Sequence, residues 1–188
     1  MKTKLFTTFC LALAGLTFSI AQGFKPPAEG KAVVYFVRVT SYGFAISFEY
    51  FHQDKYIAVA KGKSYLRYEC DAGKQLFWAS TENKEFITAD LAPGGTYMVI
   101  VNVAMGFAKA RVSLTPITDA DKEIFPRAKE LINAEPPVVT PQEKIDERNI
   151  KLKDFIAEKL KMYEDVWKKE KDFKHISSEM ALSAEAMK

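Results

Sequence analysis

A chain of 188 residues with 48% apolar and 27% charged side chains can bury a core of its own, which excludes intrinsic disorder. The formal net charge is +3; without Lys2 and Lys4 the 27 cations fall to 25 against 24 acids, about +1, too weak a balance to steer the chain to nucleic acid. Two cysteines, Cys10 and Cys70, exclude a disulfide-stapled scaffold.

Residues 1–21 read as a secretory signal peptide. Lys2 and Lys4 form its basic start, "LFTTFCLALAGLTF" is an apolar run too short for a comfortable membrane span, and "SIA" supplies small residues before a cut between Ala21 and Gln22. Cys10 lies inside the run, not at its end behind small residues, so the signal is not that of a lipoprotein. The mature chain is expected in the periplasm or outside the cell, with no membrane-spanning run after the cut and Cys70 as its one cysteine.

From residue 22 to 117 the chain has a β texture. Val, Ile, Tyr and Phe dominate, and turn signals such as "TSYG", "HQDK", "AKGKS", "DAGK", "TENK" and "APGG" punctuate it every 8 to 12 residues or so. Eight strands are expected, near Lys31–Thr40, Ala45–His52, Lys55–Ala60, Ser64–Cys70, Gln75–Ser80, Glu85–Asp90, Thr96–Val103 and Ala108–Thr115. With no helix between them the sheet is expected to be antiparallel, an Ig-like or jelly-roll-like β-sandwich. Alternation sets the faces: Ile46, Phe48 and Tyr50 share one side of their strand, Ser47 and Glu49 the other. "AVVYFV" and "YMVIVNV" are apolar on both sides, so something must cover the outer face there.

The second half supplies covers. Residues 118–139 read as a short helix capped by Thr118, kinked at Pro126, then the stiff connector "AEPPVV". In "TPQE", Thr140 is expected to cap a long helix, with Pro141 at its first position and Glu143 closing a capping box. Its apolar residues Ile145, Leu152, Phe155, Ile156, Leu160, Tyr163, Val166 and Trp167 form one stripe. Running to about Lys174, such a helix would measure on the order of 50 Å, against about 26 Å for an eight-residue strand. The stripe either packs on its own β domain or overhangs to meet a partner or a second copy.

No reactive constellation accompanies these elements. "KGKS" lacks the earlier glycine of a phosphate loop, because Ile57 stands there, and "DAGK" has Tyr68 in the same place. His52 and His175 lie in different halves with no metal-ligand spacing, and no G-x-S-x-G occurs. His52 reads as a solvated turn residue. Glu49, Glu69, Asp71, Glu82, Glu85 and Asp90 offer no singled-out pair of carboxylates. Cys70 shares strand parity with Leu66 and Tyr68 and reads as a buried, unreactive thiol.

The stretches "GKAVVYFVR", "FEYFHQDKYIAVAKGKSYLRYECDAGKQLFWA" and "ITADLAPGGTYMVIVNV" resemble the bacterial family called Domain of Unknown Function 2846. The likeness runs from Lys31 to Leu114: an opening strand ending in Arg38, a hairpin turn at His52 to Lys55, a turn at Asp71 to Lys74, and the strand Gly94 to Val101. A fainter likeness to PEGA-type surface domains points to the same fold. The resemblance implies an exported, envelope-associated sandwich with no established activity and brings no catalytic residue.

The function expected is therefore non-catalytic: a binding or structural module of the cell envelope, without cofactor or metal, meeting another envelope protein. The alternative is a glycan- or peptide-binding domain using surface aromatics, and an unrecognised hydrolase stands behind both. Tyr42 and Phe44, flanking the glycine of a turn, and Trp78, with an apolar neighbour on each side, are the candidate contacts on the β domain. Tyr163 and Trp167 are the candidates on the helix, where a homodimer would also form.

Overall fold

The computed structural model describes residues 23–105 and 110–188. The expected signal segment with Cys10, and the start of the eighth expected strand at Ala108, lie outside the described residues.

Eight strands follow in the expected order: β1 Lys31–Arg38, β2 Ser47–His52, β3 Lys55–Lys61, β4 Ser64–Asp71, β5 Gly73–Ser80, β6 Lys84–Leu91, β7 Thr96–Met105 and β8 Ala110–Ile117. A ninth, β9 Lys174–Ile176, was not foreseen. They form two sheets, β4-β1-β7-β8 and β3-β2-β5-β6-β9, so the fold is sandwich-like and mainly β. It is not purely antiparallel. β7 returns beside β1 in parallel, Val34 opposite Tyr97, and β9 joins β6 in parallel, Thr88 opposite His175. Local alternation sets which face is buried but carries no information about strand order, so the parallel pairs leave no trace in the pattern.

The inner faces meet in a core of Val34, Phe36, Phe48, Tyr50, Leu66, Phe77, Ile87, Val99 and Leu114. Both outer faces are covered by helices. α1, Ile124–Ala134, lays Phe125, Ala128, Leu131 and Ile132 on Val33, Tyr35, Val37, Met98 and Ile100 of the first sheet. This is the cover that the doubly apolar strands β1 and β7 required. The tail returns to the same side, where the Leu182 N–H bonds the Thr96 carbonyl at 2.8 Å.

The second sheet is covered by α2, Gln142–Lys151, and α3, Lys153–Met162, joined through Leu152 and continued by a π-helical turn at Tyr163–Trp167 and the short α4, Lys168–Glu170. Ile145, Leu152, Phe155, Ile156, Leu160, Tyr163 and Trp167 pack on Phe51, Tyr56, Trp78 and Phe86. The stripe thus closes on its own sheet. Its excess length is absorbed by the irregularities at Leu152 and at the π turn, after which the chain doubles back as β9. Among the described residues no helix is long and apolar enough to cross a membrane.

Two helix starts differ from expectation. Thr118 opens a turn, accepting the Ala120 N–H on its hydroxyl, and Pro126 falls in the first turn of α1, where its missing N–H has no ladder bond to lose, so the helix is not kinked there. Thr140 does not cap α2: its hydroxyl accepts the Val59 N–H of β3 at 3.2 Å, and the helix begins behind Pro141 without a side-chain cap.

Three of the four edge strands, β4, β3 and β8, are capped in part by groups from elsewhere in the chain. Val138, in the Pro-rich connector, donates its N–H to the Tyr65 carbonyl of β4 at 2.8 Å. The Asn149 amide pairs with Tyr56 of β3, and the Asn83 amide pairs with Val112 of β8, each by two bonds. Edges finished in this way do not present an uninterrupted ladder to other chains.

Candidate functional site

The β1–β2 connection makes the most exposed aromatic surface of the β unit. Arg38 ends β1 buried at 2% exposure, and its guanidinium donates to the carbonyls of Ile46 (3.0 Å), Tyr42 (2.6 Å) and Gly43 (2.7 Å). It also lies 4.8 Å from the centroid of the Phe48 ring. The planar fork of arginine presents its donors in fixed, divergent directions, whereas an ammonium group is a compact point charge. Gly43 turns with φ +66, and a Cβ there would stand 2.9 Å from Ile46, so the loop depends on glycine at this point. Tyr42 and Phe44 project from it, 57% and 72% exposed. The two aromatics expected to flank a turn are thus held outward by a buried cation.

Trp78 is not a surface contact. Its parity does point it outward from the second sheet, but α3 covers it and leaves it 1% exposed. It stacks on Phe51 at 3.7 Å between centroids and on Phe86 at 5.3 Å, and its indole N–H donates to the Gln53 carbonyl at 3.0 Å. Tyr163 is buried as well, stacked on Phe86 at 4.5 Å. Trp167 is half-buried beside the same ring at 5.8 Å. The helix residues expected to reach a partner, Tyr163 and Trp167, belong to one internal aromatic stack.

The groups expected to be unreactive are held by specific partners. Cys70 is buried with Leu66 and Tyr68 against the inner core, and burial pushes its thiol up to about 11. His52 is not solvated. It stacks on Phe77 at 4.8 Å, and its two nitrogens lie 3.0 Å from the Tyr68 hydroxyl and 2.7 Å from Gln75 Oε1. Gln75 donates its Nε2 to the Asp71 carbonyl, so Oε1 faces the histidine; Nε2 of His52 then carries the proton, and Nδ1 accepts from Tyr68. Burial lowers the His52 pKa, opposed by the Gln75 bond, and burial raises Tyr68 to about 12. Neutral His52 with both nitrogens engaged is a satisfied polar plug at the end of the sandwich.

The carboxylates are dispersed. Glu49 meets Arg148, Glu69 meets Arg67 at 3.0 Å, and Asp71 meets Lys31 at 2.6 Å. "KGKS" is the β3–β4 turn, where the Ser64 hydroxyl donates to the Lys61 carbonyl at 3.2 Å. A groove of about 730 Å³ runs between α2 and the β3–β4 side, bordered by Ile57, Tyr68, Ile145, Asn149, Lys153 and Ile156. Its volume suits a small molecule; of its polar lining, Asn149 is committed to Tyr56 and Tyr68 to His52.

No family model and no curated protein matches the chain.

Proposed function

We propose that this protein is an exported, non-catalytic binding module of the bacterial cell envelope that meets a protein partner through the loop Ser41–Ile46. The observation that carries the reading is the pairing of two exposed aromatics, Tyr42 and Phe44, with a buried arginine that fixes the backbone beneath them. Aromatic side chains on a preorganised loop give large contact area at small entropic cost, which is how compact interfaces gain affinity. Three further observations support it. Cys70 and His52 are held in contacts that leave neither of them free as a nucleophile or general base. Both sheet faces are covered by the chain's own helices, and edge strands β3 and β8 are capped in part by side chains. Membership of the Domain of Unknown Function 2846 family remains part of this proposal.

The second reading keeps the same loop and exchanges the partner for a glycan, which the exposure of Tyr42 and Phe44 equally favours, since sugars stack on aromatic faces. A double variant, Tyr42→Ala with Phe44→Ala, tests both. It should fold as the parent does and lose cosedimentation with isolated envelopes. Protease treatment of the envelopes should abolish parent binding if the partner is a protein and leave it intact if it is a glycan. Unchanged binding of the double variant would remove the loop from the account.

A further inference from the structure

A second cavity, of about 410 Å³, lies between the β5–β6 turn, the start of β8 and the end of the helical cover. Four cations border it, Lys84, Arg111, Lys159 and Lys171, together with Glu82, Glu85 and the edge of Trp167. They come from three distant stretches of chain, so their convergence is a product of the fold.

Two of these cations, Lys84 and Lys159, act on one another. The ammonium groups of Lys84 and Lys159 lie 5.5 and 5.4 Å from the centroid of the same Phe155 ring, and that of Lys171 lies 5.5 Å from the Trp167 ring. Lys84 spends its protons on the carbonyls of Thr81 (3.0 Å) and Glu82 (3.5 Å), not on a carboxylate. Burial, and after it the charge of Lys159, pulls its pKa down. Arg111 and Lys171, both exposed, have no ion pair among the described residues. Lys159 meets Glu158 at 2.6 Å, and burial raises the Glu85 pKa against the opposing charges of Lys174 and Lys171. The four cations that line the cavity, against Glu82 and Glu85, leave an excess of two positive charges. Like charges gathered in a recess are costly unless an anion relieves them.

We propose that this cavity binds a divalent oxyanion of the phosphate type, as the free ion or as a phosphate monoester. The excess of two charges matches a dianion, and a guanidinium with three ammonium groups matches an anion that presents several oxygens in different directions. The volume holds the oxyanion with a small substituent beside Trp167. The site lies apart from the Tyr42–Phe44 loop and stands or falls without it.

The test is titration of the purified protein with sodium phosphate and with sodium sulfate at constant ionic strength, followed by tryptophan fluorescence, because Trp167 borders the cavity while Trp78 is sealed in the core. Both anions should give a saturable change that sodium chloride does not. Arg111→Gln and Lys171→Gln, at exposed positions that leave the core untouched, should each weaken binding about tenfold. Lys122→Gln, on an exposed turn elsewhere, should bind as the parent does. Binding of free phosphate should weaken as pH falls through neutrality, where the ion loses its second charge, while sulfate binding persists. A response that does not saturate, that chloride reproduces, or that survives in both Arg111→Gln and Lys171→Gln would overturn the proposal.

Discussion

The side-chain amide of Asn149 stands in for a neighbouring strand at Tyr56: its Oδ1 accepts the Tyr56 N–H at 2.8 Å, and its Nδ2 donates to the Tyr56 carbonyl at 3.0 Å. One residue of α2 thereby fixes the helical cover to the edge of the second sheet. Replacement by alanine orphans both backbone groups of a half-buried edge and should cost about 1–3 kcal/mol, read as a lower urea midpoint. Asn149→Asp keeps the acceptor but turns a second oxygen toward the Tyr56 carbonyl, and should not rescue the loss. Asn83 does the same at Val112 on the opposite side of the molecule, with both bonds at 2.8 Å. The two sites share no partner, so the losses in the double alanine variant should add.

The helical cover is part of the core, not an appendage. Phe51, Trp78 and Phe86 are at most 1% exposed only because Phe155, Ile156 and Tyr163 lie on them. Trp78→Ala should cost about 3–5 kcal/mol, a large share of a typical domain's stability. A chain ending at Thr140 lacks both the cover and β9, and it should bind a hydrophobic dye and lose its cooperative unfolding transition. A truncated chain that melts like the parent would show that the β unit stands without its cover.

Titration of His52 and Cys70 should shape stability at opposite ends of the pH scale. The His52 pKa is lowered in the folded protein, so as pH falls through about 6.5 the unfolded chain takes up the proton first and stability declines. Cys70 is raised from 9.0 to about 11, so between these values the unfolded chain loses its proton first and stability declines as pH rises. Urea midpoints measured from pH 4 to 11 should show both limbs; His52→Gln should flatten the acid limb and Cys70→Ala reduce the alkaline one. At pH 8 the native thiol should label with iodoacetamide far more slowly than the denatured chain.

Arg38→Lys keeps the charge but not the fork, and one ammonium group cannot bond the carbonyls of Tyr42, Gly43 and Ile46 in their present directions. The loop should loosen while the sandwich persists. Amide hydrogen exchange over residues 41–46 should quicken by about tenfold or more, with the strands unchanged.

The eight long strands were legible because their alternation and turn residues act locally, and their ends among the described residues lie within about two residues of those expected. β9 was not, since "KHI" has one buried residue and no alternation to detect. The stripe on the long helix was equally clear, but whether it met its own sheet or a partner depended on the outward face of β2, β3, β5 and β6. Trp78 was the signal for that choice: a large apolar residue at outward parity marks a covered face as readily as an exposed contact. His52, Thr140, Asn83 and Asn149 were misread or unremarked because their partners lie 16 to 93 residues away in sequence. Tyr42 and Phe44 are exposed, as the local turn alone gave reason to expect.

The most direct test of the binding reading is site-specific photocrosslinking in the native host, with the crosslinking residue placed at Phe44 or at Ile150. Both positions are exposed apolar residues, 72% and 81%, the first on the loop and the second on the solvent side of α2. The account predicts a discrete protein adduct from position 44, lost when Tyr42 is replaced by alanine, and none from position 150. An adduct from position 150 with none from position 44 would contradict it.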